Sequence, residues 1–292
     1  MKLHILTVAN KSKYYYPYLI DSVKRNNSSL ITLGFNKEWV GFNTKFKLMY
    51  EKLEELDEND IVCFVDGFDV ICIRNLNKLI NVFLKIKERE GCTIVAGYDN
   101  IKNNLFRSII ASLYFTKKLN SKVINSGTYI GYVKDIKKFL SFVLSQDDDE
   151  TSDDQILMNT YSKLHPNEIY IDINTEIFLT IIIPLQSIKK FIKIKDNIVY
   201  SNNNKPFFIH AAASGYMNEI LEDLGYKVDK QIEIDLKNNH IKKILNQIKD
   251  IIFNNFIKNV NKYKYNILFG FILFFIISYI FIKSLLISFI KV

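Results

Sequence analysis

The sequence predicts an α/β domain with a largely parallel sheet, followed by an apolar helix at the C-terminal end. Two observations lead there. Through the first 135 residues, short β-rich runs alternate with stretches whose apolar residues recur every three or four positions. Near the other end, Tyr265 to Ile282 form an uncharged, almost wholly apolar run, the length a helix needs to cross a bilayer core.

Taken in order, the strands are expected at Leu3–Ala9, Ser29–Leu33, Ile61–Val65, Thr93–Ala96 and Thr128–Val133, with helices near Tyr16–Arg25, Thr44–Leu56 and Asn77–Glu90. The later part is less regular. A helix is expected at Asp153–Leu164, short strands near Glu168–Ile173, Asn197–Tyr200 and Phe207–His210, and a further helix at Gly215–Leu224. Residues 1–236 are read as the folded domain and 237–264 as an amphipathic juxtamembrane helix, because Ile241, Ile244, Leu245, Ile248, Ile251 and Ile252 recur among Lys and Asn. Residues 265–290 are read as a transmembrane helix. Lys258, Lys262 and Lys264 precede the span, and the positive-inside tendency places that side in the cytosol. The expectation is a single-pass C-terminal membrane anchor carrying a cytosolic domain.

Charge sharpens this division. The chain has 39 Lys and Arg, 31 Asp and Glu and a formal net charge of +8. Residues 241–292 hold eight of the Lys against one carboxylate, Asp250, so the first 240 residues are close to neutral. No basic, aromatic-rich face for a phosphate backbone stands out in them, and no nucleic-acid partner is expected. The three cysteines, Cys63, Cys72 and Cys92, lack metal-site or redox spacing and read as reduced residues in or near the core. The start, MKLHILTVAN, enters a strand pattern without the apolar stretch of a secretory signal.

The residues that carry chemistry lie where strands end. Ile61–Val65 is a wholly apolar run that delivers Asp66-Gly67-Phe68-Asp69 at its carboxyl end, the position where open α/β sheets bind ligands. Two carboxylates three positions apart can converge on one hard divalent cation; they can equally make a turn or cap the next element. His210 closes a second β-like run, Pro206 to His210, and joins the pair as a third ligand or serves as a buried structural imidazole. The acidic stretch Asp147 to Asp154, ahead of Gln155 and a helix, has Ser152 where an EF-hand loop needs Gly. Phosphate-loop, zinc-protease, nucleophile-elbow and dinucleotide glycine signatures are all missing from the sequence.

The order of these pieces resembles the glycosyltransferase domain of the procollagen lysyl hydroxylases, the collagen-type galactosyl- and glucosyltransferases, from about residue 3 to 226. The likeness is carried by Leu6-Thr-Val-Ala9, Leu33-Gly, Trp39 with Gly41, Thr44-Lys45 and Phe64-Val-Asp-Gly-Phe-Asp-Val-Ile71. It continues through Ile124-Asn-Ser-Gly-Thr-Tyr-Ile-Gly131, Asp153-Asp-Gln155, Asp172-Ile-Asn174 and Phe208-Ile-His210. The resemblance implies a GT-A type, Rossmann-like nucleotide-sugar-binding fold and transfer of glucose or galactose from a UDP-sugar to a hydroxyl acceptor on a protein or glycan, such as a hydroxylysine-like side chain or a protein-linked sugar. It implies Mn2+ held by Asp66, Asp69 and His210. Val8, Ala9 and Asn10 correspond to the strand end beside the uridine, with Gly67 and Phe68 next to it and Lys45 as a partner for the diphosphate. Asn125, Ser126, Gly127, Asp153, Asp154 and Gln155 line the sugar and acceptor side, with Asp154 the carboxylate near the reacting centre, Asp153 and Asn125 beside it.

Two departures accompany the likeness. Ala211-Ala-Ala-Ser-Gly-Tyr216 follows the histidine, where the family has a Gly-rich segment ending in Lys; and Phe68 stands where the family has Tyr. A membrane-tethered nucleotide-sugar-binding module without turnover, or a membrane-anchored scaffold, shares these features.

Overall fold

The computed structural model describes residues 1–39, 41–99, 123–146, 154–195, 198–201, 203–260 and 279. It divides into two units, Met1–Lys237 and Asn238–Val292. In the first, β1 (Leu3–Val8), β2 (Leu30–Leu33), β3 (Ile61–Val65), β5 (Ile94–Asp99), β6 (Val123–Tyr132) and β7 (Ile169–Asp172) form one six-stranded sheet in the order β2-β1-β3-β6-β5-β7. A three-stranded sheet, β4-β11-β8, is built from β4 (Val70–Cys72), β8 (Phe178–Ile182) and β11 (Phe208–Ala212). A hairpin of β9 (Lys193–Lys195) and β10 (Ile198–Tyr200) stands apart.

The large sheet is mixed, where a largely parallel one was expected. Strand β6 runs antiparallel to both β3 and β5, while β1 is parallel to β2 and β3, and β5 to β7. β6 also begins five residues earlier than its apolar pattern suggests. Asn125, Ser126 and Gly127 interrupt the apolar run, yet Asn125 pairs with Gly97 of β5, Gly127 O accepts the Asp66 N–H and the Gly127 N–H donates to Asn125 Oδ1, and these contacts outweigh their poor strand propensity. The helix α4 (Val133–Ser145) was not expected, although Val133, Ile136, Phe139, Leu140 and Val143 have helical spacing and are all buried. β4, β8 and β9 were likewise unexpected; β4 and β9 are three residues long, too short to show a period.

Helix α1 (Tyr16–Arg25) matches its expected span and carries Pro17 in its first turn, where a missing N–H costs nothing. α2 (Phe42–Leu53) and α3 (Leu79–Glu90) flank the sheet; Gly91 ends α3 with φ 67°, the left-handed cap that glycine adopts without strain. α5 spans Asp154–Leu164 and α6 Asn218–Asp223. Between the layers, every residue of β3 is fully buried, each side chain contributing about 1.5–3 kcal/mol relative to exposure. Phe64 stacks on its cross-strand partner Tyr129 at 4.9 Å, and Phe139 meets Tyr129 edge-on at 5.9 Å, so β3, β6 and α4 share one aromatic core.

The last helix, α7 (Gln231–Val260), starts six residues before the expected 237, where Asp229 Oδ1 accepts the Gln231 N–H at 2.9 Å. Ile232 and Leu236 pack into the cluster around the small sheet. The membrane span expected at 265–290 lies outside the described residues; no helix among the described residues is long and apolar enough to cross a membrane.

Tyr15, fully buried, joins α1 to α6: its hydroxyl donates to Asn218 Oδ1 and accepts from the Met217 N–H, both at 2.9 Å. Replacing it by Phe leaves two buried groups unpaired. Tyr15→Phe is expected to lower unfolding free energy by about 1–3 kcal/mol, read as a reduced urea midpoint with unchanged slope.

Candidate active site

The site forms where the two sheets meet. β3 of the large sheet ends at Val65, and residues 66–69 cross into β4 of the small one. The Asp66 N–H donates to Gly127 O at 2.8 Å, and the Ala211 N–H to Asp69 O at 2.8 Å. Because β11 runs antiparallel to β4 with His210 opposite Val70, the imidazole is set beside Asp69. Its Nε2 lies 3.2 Å from Asp69 Oδ1 and 4.0 Å from Asp66 Oδ2. One ligand atom from each of Asp66, Asp69 and His210 falls within 4.8 Å of the others.

Several features fit a divalent cation at this point. Two carboxylate oxygens and an imidazole nitrogen are a donor set for hard to borderline ions. Burial pushes the Asp66 pKa up, with Lys45 opposing and Asp69 adding to the rise. Burial would also keep the His210 ring neutral, but Asp69 and Asp66 outweigh it and raise its pKa. His210 Nδ1 is buried without a hydrogen-bond partner among the described residues. Gly127 keeps the space open: a Cβ there would overlap the edge of the His210 ring and come within 2.5 Å of Asp66 Oδ2.

Lys45 of α2, its side chain 5% exposed, reaches this cluster from below. Its ammonium is ion-paired with Asp154 Oδ2 and lies 3.6 Å from Asp66 Oδ1, with the Phe64 and Phe46 rings 5.3 and 5.5 Å away. Burial alone would lower the Lys45 pKa; Asp154 and then Asp66 reverse this and raise it. Asp154, first residue of α5, is likewise desolvated, yet Lys45, Ser126 and the Gln155 backbone together hold its carboxyl below the usual range.

The remaining expected residues surround these charges. Val8 ends β1; the Ala9 N–H donates to Leu33 O at 3.1 Å, and Asn10 O accepts from Asn36 at 2.9 Å. Gly67 packs on that strand end, since its missing Cβ would lie 2.9 Å from Val8 O. Phe68 meets Tyr14 edge-on at 6.3 Å. Asn125 Oδ1 accepts the Gly127 N–H at 3.0 Å. Asp153 and the acidic run before it lie outside the described residues. Asp172, part of the resemblance, caps a turn by accepting the N–H groups of Glu176, Ile177 and Phe178.

Sequence reasoning missed Asp99. It ends the apolar strand β5, is 2% exposed, accepts from Gln155 Nε2 at 2.7 Å and acts electrostatically on His210. The strand-end rule that selected Asp66 applies equally to it. Asn159 was also missed: it accepts from Ile124 N–H and donates to Ile124 O, at 3.0 and 3.1 Å, which clamps α5 to β6. After His210, Ala213 and Ser214 have φ of 61° and 67°. The chain thus keeps a left-handed path there without glycine.

A family profile described as the PLOD GT domain matches residues 1–235. The chain belongs to that family. This places Asp66, Asp69, His210 and Asp154 in a glycosyltransferase domain. Among curated relatives, the human procollagen-lysine,2-oxoglutarate 5-dioxygenase 2 is 28% identical over 174 residues, 56% of this chain and 22% of its own length; the Mus musculus protein is 27% identical over the same extent. The chain thus spans about a fifth of the length of these relatives. Among solved structures, a glycosyltransferase involved in glycosylating the major capsid of PBCV-1 is similar with a TM-score of 0.46, 13% identity and coverage of 76% of this chain and 100% of that one. The galactosyltransferase LgtC, solved with donor and acceptor sugar analogues, has a TM-score of 0.44, 14% identity and coverage of 78% and 98%.

Two predictions follow from the geometry. Gly127→Ala should fold but weaken any divalent-cation binding at the cluster by roughly 10- to 100-fold, the loss expected when a ligand's surroundings are displaced, measured by calorimetric Mn2+ titration. Lys45→Met strips the counter-ion from buried Asp154 and from Asp66, whose side chain is one-third exposed, and should cost about 3 kcal/mol near pH 7. In the native chain Asp154 has a depressed pKa, so its ionisation stabilises above the usual carboxylate value of about 3.9 and that contribution fades as pH falls through the lower folded value. The Met variant loses this depression, and its deficit should shrink below about pH 4 in denaturant titrations.

Proposed function

We propose that this domain is a GT-A type, metal-dependent glycosyltransferase that moves a hexose, glucose or galactose, from a UDP-sugar to a hydroxyl acceptor on a protein or glycan. The observation that carries the reading is the convergence of Asp66, Asp69 and His210 within 4.8 Å at the junction of the two sheets, inside a region that matches the PLOD GT domain.

Asp66, Asp69 and His210 would hold the cation, Mn2+ by the family resemblance. When bound, it offsets the negative charge that builds on a departing nucleoside diphosphate. Val8, Ala9 and Asn10 with Gly67 and Phe68 form the wall for the uridine, Phe68 supplying a ring face in place of the family's phenol. Asp154 is the carboxylate that orients or deprotonates the acceptor hydroxyl. Its ion pair with Lys45 and its Ser126 hydrogen bond keep it charged and in one orientation. Asn125 and Ser126, buried on β6, and Gln155, tied to Asp99, shape the sugar side. Lys45 is the cation nearest the donor's diphosphate, and binding there would exchange part of its pairing with Asp66 and Asp154. The apolar run 265–282 and the lysines before it support a single-pass membrane anchor with the domain on the cytosolic side.

The test is UDP release by the full chain from UDP-glucose and UDP-galactose, with and without Mn2+. Metal-dependent release should fall by about a thousandfold or more in the Asp66→Ala, Asp69→Ala double variant, as removal of a whole charge-stabilising site does. In Asp154→Asn, Mn2+ affinity should persist while turnover falls about a hundredfold. Release that is unchanged by removing the metal or both carboxylates sinks the proposal.

A further inference from the structure

A groove of about 300 Å³ opens beside the chain segment that follows β4, between it, β10 and the residues leading into β11. Its polar lining comes from Asn26, Arg74, Asn75, Lys78 and Lys205, and Ile198 contributes apolar surface. Among the described residues, none that lines it is acidic. Across the hairpin, Lys195 stands directly opposite Ile198, which puts a further cation on that face.

The guanidinium of Arg74 is fixed in place. Nη1 donates to Lys205 O at 2.6 Å, and the group lies 4.2 Å from the centre of the Phe207 ring. Its other N–H groups have no partner among the described residues, and Lys78 and Lys205 pair with no carboxylate there. Lys205 instead sits 5.1 Å from the Tyr200 ring. Burial lowers the Arg74 pKa, with no acidic group among the causes. A half-buried guanidinium held by a carbonyl and a ring, flanked by two unpaired ammonium groups, presents directed donors and uncompensated positive charge in one place. That combination suits a tetrahedral oxyanion, which accepts from the guanidinium fork and gains from point charges around it.

We propose that this groove is a second ligand site that binds a phosphate ester, with the phosphate on Arg74, Lys78 and Lys205 and the body of the ester against Ile198 and Pro206. It is separate from the candidate active site. Arg74 follows Asp69 by five positions on a chain that leaves along β4, a separation of roughly 15 Å for extended backbone, so one small ligand does not touch both. A soluble phosphorylated molecule and a phospholipid headgroup carry the same chemistry.

The test uses the full chain in EDTA. Without a cation, Asp66, Asp69 and Asp154 repel phosphate, so binding reports the groove. Inorganic phosphate is titrated and followed by 31P line broadening, in the native chain and in the Lys78→Glu, Lys205→Glu variant. Both positions are exposed, and a shared melting temperature confirms that the variant folds; Lys78→Gln alone replaces it if it does not. Saturable broadening that weakens by about tenfold or more in the variant is expected for loss of charge-assisted contacts. A second arm measures co-sedimentation with phosphatidylcholine vesicles, with and without phosphatidic acid. Loss of phosphate binding alone assigns a soluble ester. Loss of the extra association that phosphatidic acid confers assigns a lipid headgroup. Native and variant chains alike in both arms overturn the proposal.

Discussion

The structure turns on a cluster of charges held inside protein. Lys45, Asp66, Asp69, Asp154 and His210 lie within ion-pair reach of one another, in surroundings that desolvate most of them. Isolated charges are expensive in such surroundings. The fold keeps them by mutual pairing and by gathering them from four elements: the turn after β3, α2, the start of α5 and β11. Each must arrive in register, because a displaced member leaves its partner uncompensated.

Backbone geometry does this gathering. The Asp66 N–H to Gly127 O bond and the Ala211 N–H to Asp69 O bond tie the connection between the sheets to a strand on either side. Side chains can then approach only because glycine stands at Gly67 and Gly127, where a Cβ would meet Val8 O in one case and His210 with Asp66 in the other. The segment after His210 shows how much of that geometry survives a change of residue. Ala213 and Ser214 follow the left-handed path, at a cost of roughly 1–2 kcal/mol each, and the Leu185 N–H donates to Ser214 O at 3.2 Å.

The paired carboxylates and His210 lie within the region that matches the PLOD GT domain. The basic groove beyond β4 has the opposite electrostatics. One region has carboxylates that call for a cation; the other has cations that call for an anion. Their separation on one small sheet lets a domain with almost balanced charge present two chemically distinct surfaces, something net charge alone conceals.

Much of this was legible in the sequence. The apolar run Ile61–Val65 determined a buried central strand, and a strand so placed delivers Asp66 and Asp69 to its carboxyl end whatever surrounds it. The helix at Tyr16–Arg25 followed from periodicity, and His210 from the run before it. Other features depended on distant partners. The direction of β6 is decided by its ladders to β3 and β5, and its extension by the pairing of Asn125 with Gly97 and the Asp66 N–H bond to Gly127 O, which a local pattern does not encode. The commitment of Lys45 to Asp154, 109 positions away, and of Gln155 to Asp99 exists only once α2, α5 and β5 are packed. Local propensity and periodicity therefore determined which residues could serve, while long-range pairing of desolvated groups decided which of them meet.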